Sequence, residues 1–362
     1  MEQMLGHVTH HQNLARWAKE EPDIEPFWMP VQAEAPDLWE KAPIIRNNWS
    51  LKASLRARGL LDEAFAKRQF DALFLHTQTT ALFAKKAMRK VPSIVSIDAT
   101  PINYDSVGEA YGHFAGKINW LESRKYKWHR STFENAAHIV SWCQWAKDSL
   151  IQDYGISPDK VTVIPPGVDR ESWSFGSERK YREKTSKTRL LFVGGDFERK
   201  GGWTLVRAFQ ENLSNLCELD IVTKDEKIER ELAGVAGIRV YRGLQANSSE
   251  LKNLYAAADL FVFPTEADCL PVAVMEAMMA GLPVIATKVG ALAEEVESGV
   301  SGLIVPLRNE QALAQAVTGL ANNPEKRLAM SHAGREIAEK KFDARRNYGM
   351  IFDLLRGIVK ES

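Results

Sequence analysis

Short apolar runs separated by stretches with apolar residues every three or four positions dominate this chain, most clearly in its second half. The runs Arg189–Gly194, Leu219–Thr223, Ile238–Tyr241, Leu260–Pro264, Pro283–Thr287 and Leu303–Pro306 are short and largely apolar. That is the pattern of strands buried on both faces of a parallel sheet. Between them, Trp203, Val206, Phe209 and Leu213 stand at helical spacing, as do Leu251, Leu254 and Tyr255. Strand–helix alternation of this kind predicts a doubly wound α/β sheet. The first half repeats the pattern less regularly, with strands expected at Phe27–Val31, Asp71–His76, Ser93–Asp98, His138–Cys143 and Val161–Pro165, and a helix expected over Ser50–Lys67.

Ile164-Pro-Pro-Gly-Val-Asp169 interrupts this alternation, and a polar stretch rich in Ser, Lys and Glu runs on to Thr188. Two prolines and a glycine continue neither strand nor helix, so the domain boundary and a hinge are expected there. Residues 1–167 then form one α/β domain and 168–343 a second. The last segment, Phe342–Lys360, sets Tyr348, Phe352, Leu355 and Ile358 on one stripe, which predicts a helix returning to complete the first domain over 344–362. Gly6-His7 reads as a turn opening a helix, with almost no room before it for a first strand.

Length supports two domains, since 362 residues exceed what one core ordinarily holds. With 47 Lys and Arg against 47 Asp and Glu, no global charge points to a nucleic acid partner. Cys143, Cys217 and Cys269 are odd in number and widely spaced, which fits a reducing, cytoplasmic setting and offers no zinc spacing. No apolar run approaches the roughly 20 residues that span a bilayer.

Two segments carry chemistry. The run Gly194-Gly-Asp-Phe-Glu-Arg-Lys-Gly-Gly202 follows a strand and precedes a helix. Glycines there let backbone approach a ligand, and Arg199 and Lys200 bring charge to a strand's carboxyl end, where open α/β sheets bind anions. A solvated glycine-rich turn is the competing reading, and the spacing is not that of a Walker loop. In the second segment Asp268 is separated by seven residues from Glu276, which lies in the apolar run containing Val272, Met275 and Met279. A carboxylate among such residues needs a fixed polar partner. Ribose hydroxyls would suit it, and so would a salt bridge or cap within the domain.

The order Val-Gly-Gly…Lys-Gly, Tyr-x-x-x-Asp-Leu-x-Val-x-Pro-Thr, acid-seven-Glu-Ala-Met and Gly-x-Pro-Val-Ile-Ala, over residues 161–308, resembles the C-terminal domain of family 4 retaining glycosyltransferases. The first half is similar in outline, through Gly6 and the strands ending at His76 and Asp98. The resemblance implies the GT-B architecture, two Rossmann-like domains facing across a cleft with the C-terminal helix crossing back. It implies that the second domain binds a nucleoside-diphosphate sugar and that the anomeric configuration is retained. Arg199 and Lys200 would contact the pyrophosphate, with Gly195 in the loop and Gly6 presenting its N–H from the other domain. Asp268, Cys269, Leu270, Pro271 and Val272 would hold the sugar and phosphates, Glu276 the ribose, and the backbone near Leu244 the base. Arg199, Lys200 and Asp268 are thereby the expected catalytic residues.

Three positions depart from the family pattern. The first acid of the pair is the shorter Asp268, Gly195 stands where an arginine is common, and Ile97-Asp98 lacks the usual histidine. On the acceptor side His7, His76 and Asp98 are the candidates, with His10, His11 and His113 as further histidines that could fill the slot. The first half has no Asp-x-Asp motif, so cations and the Gly201–Trp203 amides are expected to replace a divalent metal at the departing phosphate, and no cofactor is expected. The acceptor, whether glycan, lipid or small molecule, is not readable. Lys117–Arg130 interleaves cations with Trp120, Tyr126 and Trp128, and Lys85, Lys86, Arg89 and Lys90 form a second cluster. A peripheral contact with an inner membrane face and a solvated helix with core-facing aromatics both fit these segments. A sugar-nucleotide epimerase of the same architecture, and a donor-binding protein without turnover, are the alternatives to a transferase.

Overall fold

The computed structural model of the chain describes residues 1–3, 6–32, 48–108, 119–175 and 187–361. His113 and most of the polar stretch before Thr188 lie outside these residues. The chain forms two compact units, one from Met1–Ser106, Phe114–Gly167 and Ala344–Ser362, the other from Val168–Asp343 with Val107–His113.

The first unit contains β1 (Glu2–Gln3), β2 (Val31–Gln32), β3 (Leu73–His76), β4 (Ser93–Ile97), β5 (His138–Ser141) and β6 (Val161–Val163). Strands β3 to β6 form a parallel sheet in sequence order, and β1 pairs in parallel with β2 as a separate ribbon. Strand β4 is buried along its whole length. The helix Ala344–Lys360 packs Tyr348, Ile351, Phe352 and Ile358 with Leu14, Ile94 and Val140 in one core. Gly167 meets this helix so closely that a Cβ there would lie 2.2 Å from the Ala344 Cα. Asn13 Nδ2 donates to the Gly167 carbonyl at 2.8 Å, and the Gly167 N–H donates to the Tyr348 hydroxyl at 3.2 Å.

The second unit holds β7 (Thr188–Val193), β8 (Cys217–Val222), β9 (Ile238–Tyr241), β10 (Leu260–Phe263), β11 (Val284–Thr287) and β12 (Gly302–Val305). They form one parallel sheet in the order β12-β11-β10-β7-β8-β9. The order reverses beside β7, so the loops leaving β7 and β10 emerge as neighbours from the same edge of the sheet. Crevices at such a reversal are where ligands of doubly wound sheets bind. Phe192, Phe261 and Phe263 stack through the sheet centre, with centroid separations of 6.1 Å and 5.9 Å.

Two expectations for the first half are corrected. Of the expected strand Phe27–Val31 only Val31 is paired, in the two-residue strand Val31–Gln32. Pro26 and Pro30 cannot donate to a ladder, and Phe27 is exposed beneath the Arg68 guanidinium, 4.9 Å from its ring centre. A first strand does precede Gly6, reduced to Glu2–Gln3. The Met1 ammonium anchors it by donating to the Met29 carbonyl at 3.0 Å, and the Val31 N–H donates to the Met1 carbonyl at 2.8 Å.

Candidate active site

In the second unit the loops after β7 and β10 are fastened together by a contact that only glycine allows. Gly201 sits at φ +76°, and a Cβ there would lie 1.9 Å from the Pro264 carbonyl oxygen. The Glu266 N–H donates to the Arg199 carbonyl at 2.9 Å, closing the junction. Arg199 is buried, its Nε donating to Asp196 Oδ2 at 2.8 Å and its Nη1 to the Ala267 carbonyl at 2.6 Å. Its guanidinium therefore shapes both loops. The Gly201 and Gly202 N–H groups are also engaged, donating to the carbonyls of Glu198 (2.9 Å) and Phe197 (2.8 Å).

Lys200 stands differently. Its stem passes Gly194, its ammonium lies 5.3 Å from the Phe263 ring centre, and it is ion-paired with Asp268 Oδ2. Burial pulls the ammonium below the ordinary lysine range, and the Asp268 charge works against that. The other Asp268 oxygen accepts from the Cys269 N–H at 3.1 Å. Asp268 through Val272 are all buried, in the turn leading into the helix Val272–Met279. Gly290, from the loop after β11, closes on the same turn, since a Cβ on it would lie 2.1 Å from the Asp268 carbonyl oxygen.

Glu276 is buried in that helix, and its partner is the Tyr255 hydroxyl, which donates to Oε2 at 3.0 Å. Burial pushes the carboxyl up to about 7, against the downward pull of the Tyr255 hydrogen bond and of Lys252. Tyr255 is set by Trp173, whose ring lies edge-on at 5.0 Å, and Lys252 stands over the Trp173 ring at 5.7 Å. Of the donor-side residues expected from sequence, Lys200 and Asp268 are in direct contact and Arg199 touches the residue before Asp268. Glu276 makes its hydrogen bond elsewhere, to Tyr255. Gly195 is exposed in the loop, and Leu244 is half-buried beyond the sheet-edge strand β9. Trp173 was invisible to sequence reasoning, and Tyr255 was legible only as a helix position and as the first residue of the Tyr-x-x-x-Asp-Leu motif, because nothing in their local pattern separates them from ordinary core aromatics.

In the first unit a second polar cluster gathers at the carboxyl ends of β1, β3 and β4. His7, in the first turn of the helix Gly6–Trp17, joins its Nδ1 to His76 Nε2 at 2.9 Å. His7 Nε2 lies 3.9 Å from Glu2 Oε1 and 3.9 Å from Asp98 Oδ2. Tyr104 donates to Asp98 Oδ2 at 2.8 Å, and Thr77 donates to Glu2. His76 stacks on Trp142 with centroids 5.1 Å apart. Burial drives His76 well below the histidine range and His10 down to about 3, so both rings are neutral near pH 7. His7 retains some exposure while its three partners Glu2, His76 and Asp98 are buried. The structure thus unites the acceptor-side candidates His7, His76 and Asp98. Glu2, Tyr104 and Trp142 complete the cluster, and no sequence motif announces them.

The helix Asn119–Asn135 exposes Trp120 and Trp128, at 59% and 50%, with Arg124 over the Trp120 ring at 5.4 Å. Only Tyr126 follows the core-facing alternative, stacking on Tyr154 and donating to the Asp153 carbonyl at 2.8 Å. Among the described residues no helix is long and apolar enough to cross a membrane, and no three His, Cys, Asp or Glu side chains are grouped to hold a metal ion.

Residues 12–172 match the family described as Glycosyltransferase Family 4, and residues 187–323 match Glycosyl transferases group 1. A D-inositol 3-phosphate glycosyltransferase of Saccharomonospora viridis is 29% identical over 237 residues, 58% of this chain and 53% of that protein. The chain thus spans about half the length of this curated relative. Among solved structures, the sucrose-phosphate synthase of Thermosynechococcus elongatus superposes with a TM-score of 0.72 at 17% identity, covering 94% of this chain and 87% of that one. Anabaena HepE in complex with UDP and glucose gives 0.68 at 15% identity, with 98% of each chain covered. At such identities these two likenesses establish the shared GT-B fold, two parallel-sheet α/β domains.

Proposed function

Because the chain belongs to the family 4 glycosyltransferases, with a match to each of the two domains, we propose that it transfers a sugar from a nucleoside-diphosphate donor to a hydroxyl-bearing acceptor with retention of anomeric configuration. The observation that carries this reading is the buried Lys200–Asp268 pair where the loops of β7 and β10 meet. A diphosphate arriving there offers Lys200 a stronger, doubly charged partner than one carboxylate. As the bond to the sugar breaks, negative charge grows on that phosphate, and an ammonium already in place stabilises it without reorganisation. Arg199 acts through the loop it ties down. Glu276, with Tyr255 fixing one oxygen, takes the ribose hydroxyls. HepE, whose complex holds UDP and glucose, supports a nucleotide-sugar as the donor class. In the first unit His7, between two carboxylates and backed by neutral His76, receives the acceptor hydroxyl. The fixed cation makes a divalent metal unnecessary.

The test is to incubate the chain with uridine, adenosine and guanosine diphosphate sugars and follow nucleoside diphosphate release and transfer separately. Release from none of them, with none of the nucleoside diphosphates bound, overturns the reading. Binding without release leaves a donor-binding protein. The exposed Trp120 and Trp128 beside Arg124 favour an acceptor presented at an anionic membrane surface.

A further inference from the structure

Among the buried acids of the second unit that the proposed chemistry leaves unused, Glu295 stands apart from Asp169 and Asp220, which accept hydrogen bonds within their own surroundings. Glu295 ends the short helix Leu292–Glu295 and is 1% exposed, and among the described residues neither of its carboxyl oxygens has a hydrogen-bond partner. Orphaned buried carboxyl groups are costly, and a position flanked by the buried Leu292 and Val296 would be filled more cheaply by an apolar side chain. The segment carrying it is bound to the donor-site turn. The Ala291 N–H donates to the Cys269 carbonyl at 2.9 Å, and Gly290 is pressed against the Asp268 backbone. The charged groups around Glu295 are Asp268, Glu294, Lys200 and Lys341, the last donating to the Glu294 carbonyl at 3.0 Å. Burial first, then the like charges of Asp268 and Glu294, hold the Glu295 carboxyl protonated well above the ordinary carboxylate range. Glu295 is therefore a neutral acid with an O–H to give, carried on a segment fastened to the turn of Asp268, a carboxylate whose cation is wanted elsewhere.

We propose that Glu295 is a positioning residue of the donor site, a carboxylic acid on the segment fastened to the Asp268 turn that turns its O–H to the Asp268 carboxylate when a diphosphate takes Lys200. The inference rests on the donor reading above. Asp268 is 8% exposed, and stripped of Lys200 it would be an uncompensated buried charge. A neutral acid donating to it makes a charge-assisted hydrogen bond and absorbs that cost. No proton leaves Glu295 in this exchange. The sugar hydroxyls then meet an Asp268 held by a neighbour rather than by the cation that the phosphate needs.

Two substitutions separate this from a structural role. Glu295→Gln keeps a neutral N–H donor of the same length, and Glu295→Leu keeps the volume but donates nothing. Calorimetry with UDP and with inorganic pyrophosphate should show the Gln variant within about threefold of wild type and the Leu variant weaker by about tenfold or more. Because Leu removes an orphaned polar group, its melting temperature should rise while its affinity falls, whereas a purely structural residue moves both together. Equal affinity of Leu and wild type, or Gln behaving as Leu, overturns the proposal. A second arm needs no ligand. Lys200→Ala frees Asp268, so it should lower the melting temperature less in the wild-type background than in the Leu background, and equal drops overturn the proposal. Failure of wild type to bind either probe counts against the donor reading, and the melting arm then decides Glu295 by itself.

Discussion

At the scale of single residues, the two adjacent cations of the loop after β7 do different work, and their substitutions should separate. Lys200 faces one replaceable partner, so Lys200→Ala should cost at least about tenfold in activity, on the order of 1.4 kcal/mol, with the fold retained. Arg199 is buried on two fixed acceptors, and Arg199→Ala leaves the Ala267 carbonyl without its guanidinium donor, costing about 3 kcal/mol of stability, readable as a lowered melting temperature alongside lost activity. Glu276 links the site to pH. Its carboxyl titrates at about 7 in the folded chain against 4.5 ordinarily, so the folded state keeps a proton that the unfolded state has lost between those values. Its contribution to stability is therefore present below about 4.5 and lost as pH rises through 7. Nucleotide binding should run the opposite way, since ribose hydroxyls need an ionised acceptor. Affinity for UDP should fall as pH drops from 8 to 6 in wild type, and this acid limb should flatten in Glu276→Gln. An unchanged limb in that variant removes Glu276 from the ribose.

At the scale of elements, glycines rather than charges decide whether the loops after β7 and β10 can meet. Gly201→Ala demands both a left-handed backbone and a Cβ inside the Pro264 carbonyl, so the loops after β7 and β10 must part. The expected cost is about 1–3 kcal/mol in thermal unfolding, and donor affinity should fall with it because Lys200 moves with its neighbour. Gly234, also at positive φ but facing open space, is the control, and its alanine variant should bind donor as wild type does. The sequence pattern located most of the strands to within a residue or two, because runs such as Leu260–Phe263 are apolar throughout and end in Pro or Gly. It failed at Phe27–Val31, where an apolar run flanked by prolines mimics a strand without the N–H groups to build one.

At the scale of the whole molecule, two solution measurements bear on the proposed reaction. EDTA should leave donor turnover intact if Lys200 alone carries the phosphate charge, and complete loss would require a metal-binding step. The exposed tryptophans predict co-sedimentation with vesicles containing anionic lipid at low salt, weakened at moderate salt and by Trp120→Ala with Trp128→Ala. Absence of binding at both salt levels points to an acceptor free in solution.

What the sequence determined by itself was the periodicity of both sheets, the resemblance to a two-domain family, and the glycine–cation and acid-seven-Glu segments on which the proposed donor site rests. These are local patterns, and local patterns survive in one dimension. What tertiary structure decided was partnership. That Arg199 is a strut while Lys200 is held by Asp268, that Glu276 has Tyr255, that Glu2 and Tyr104 join His7, and that Glu295 has no partner among the described residues all depend on side chains brought together by parallel strands. Contacts between residues tens to hundreds of positions apart leave no spacing to read, because burial and pairing are properties of the packed interior and not of neighbours along the chain.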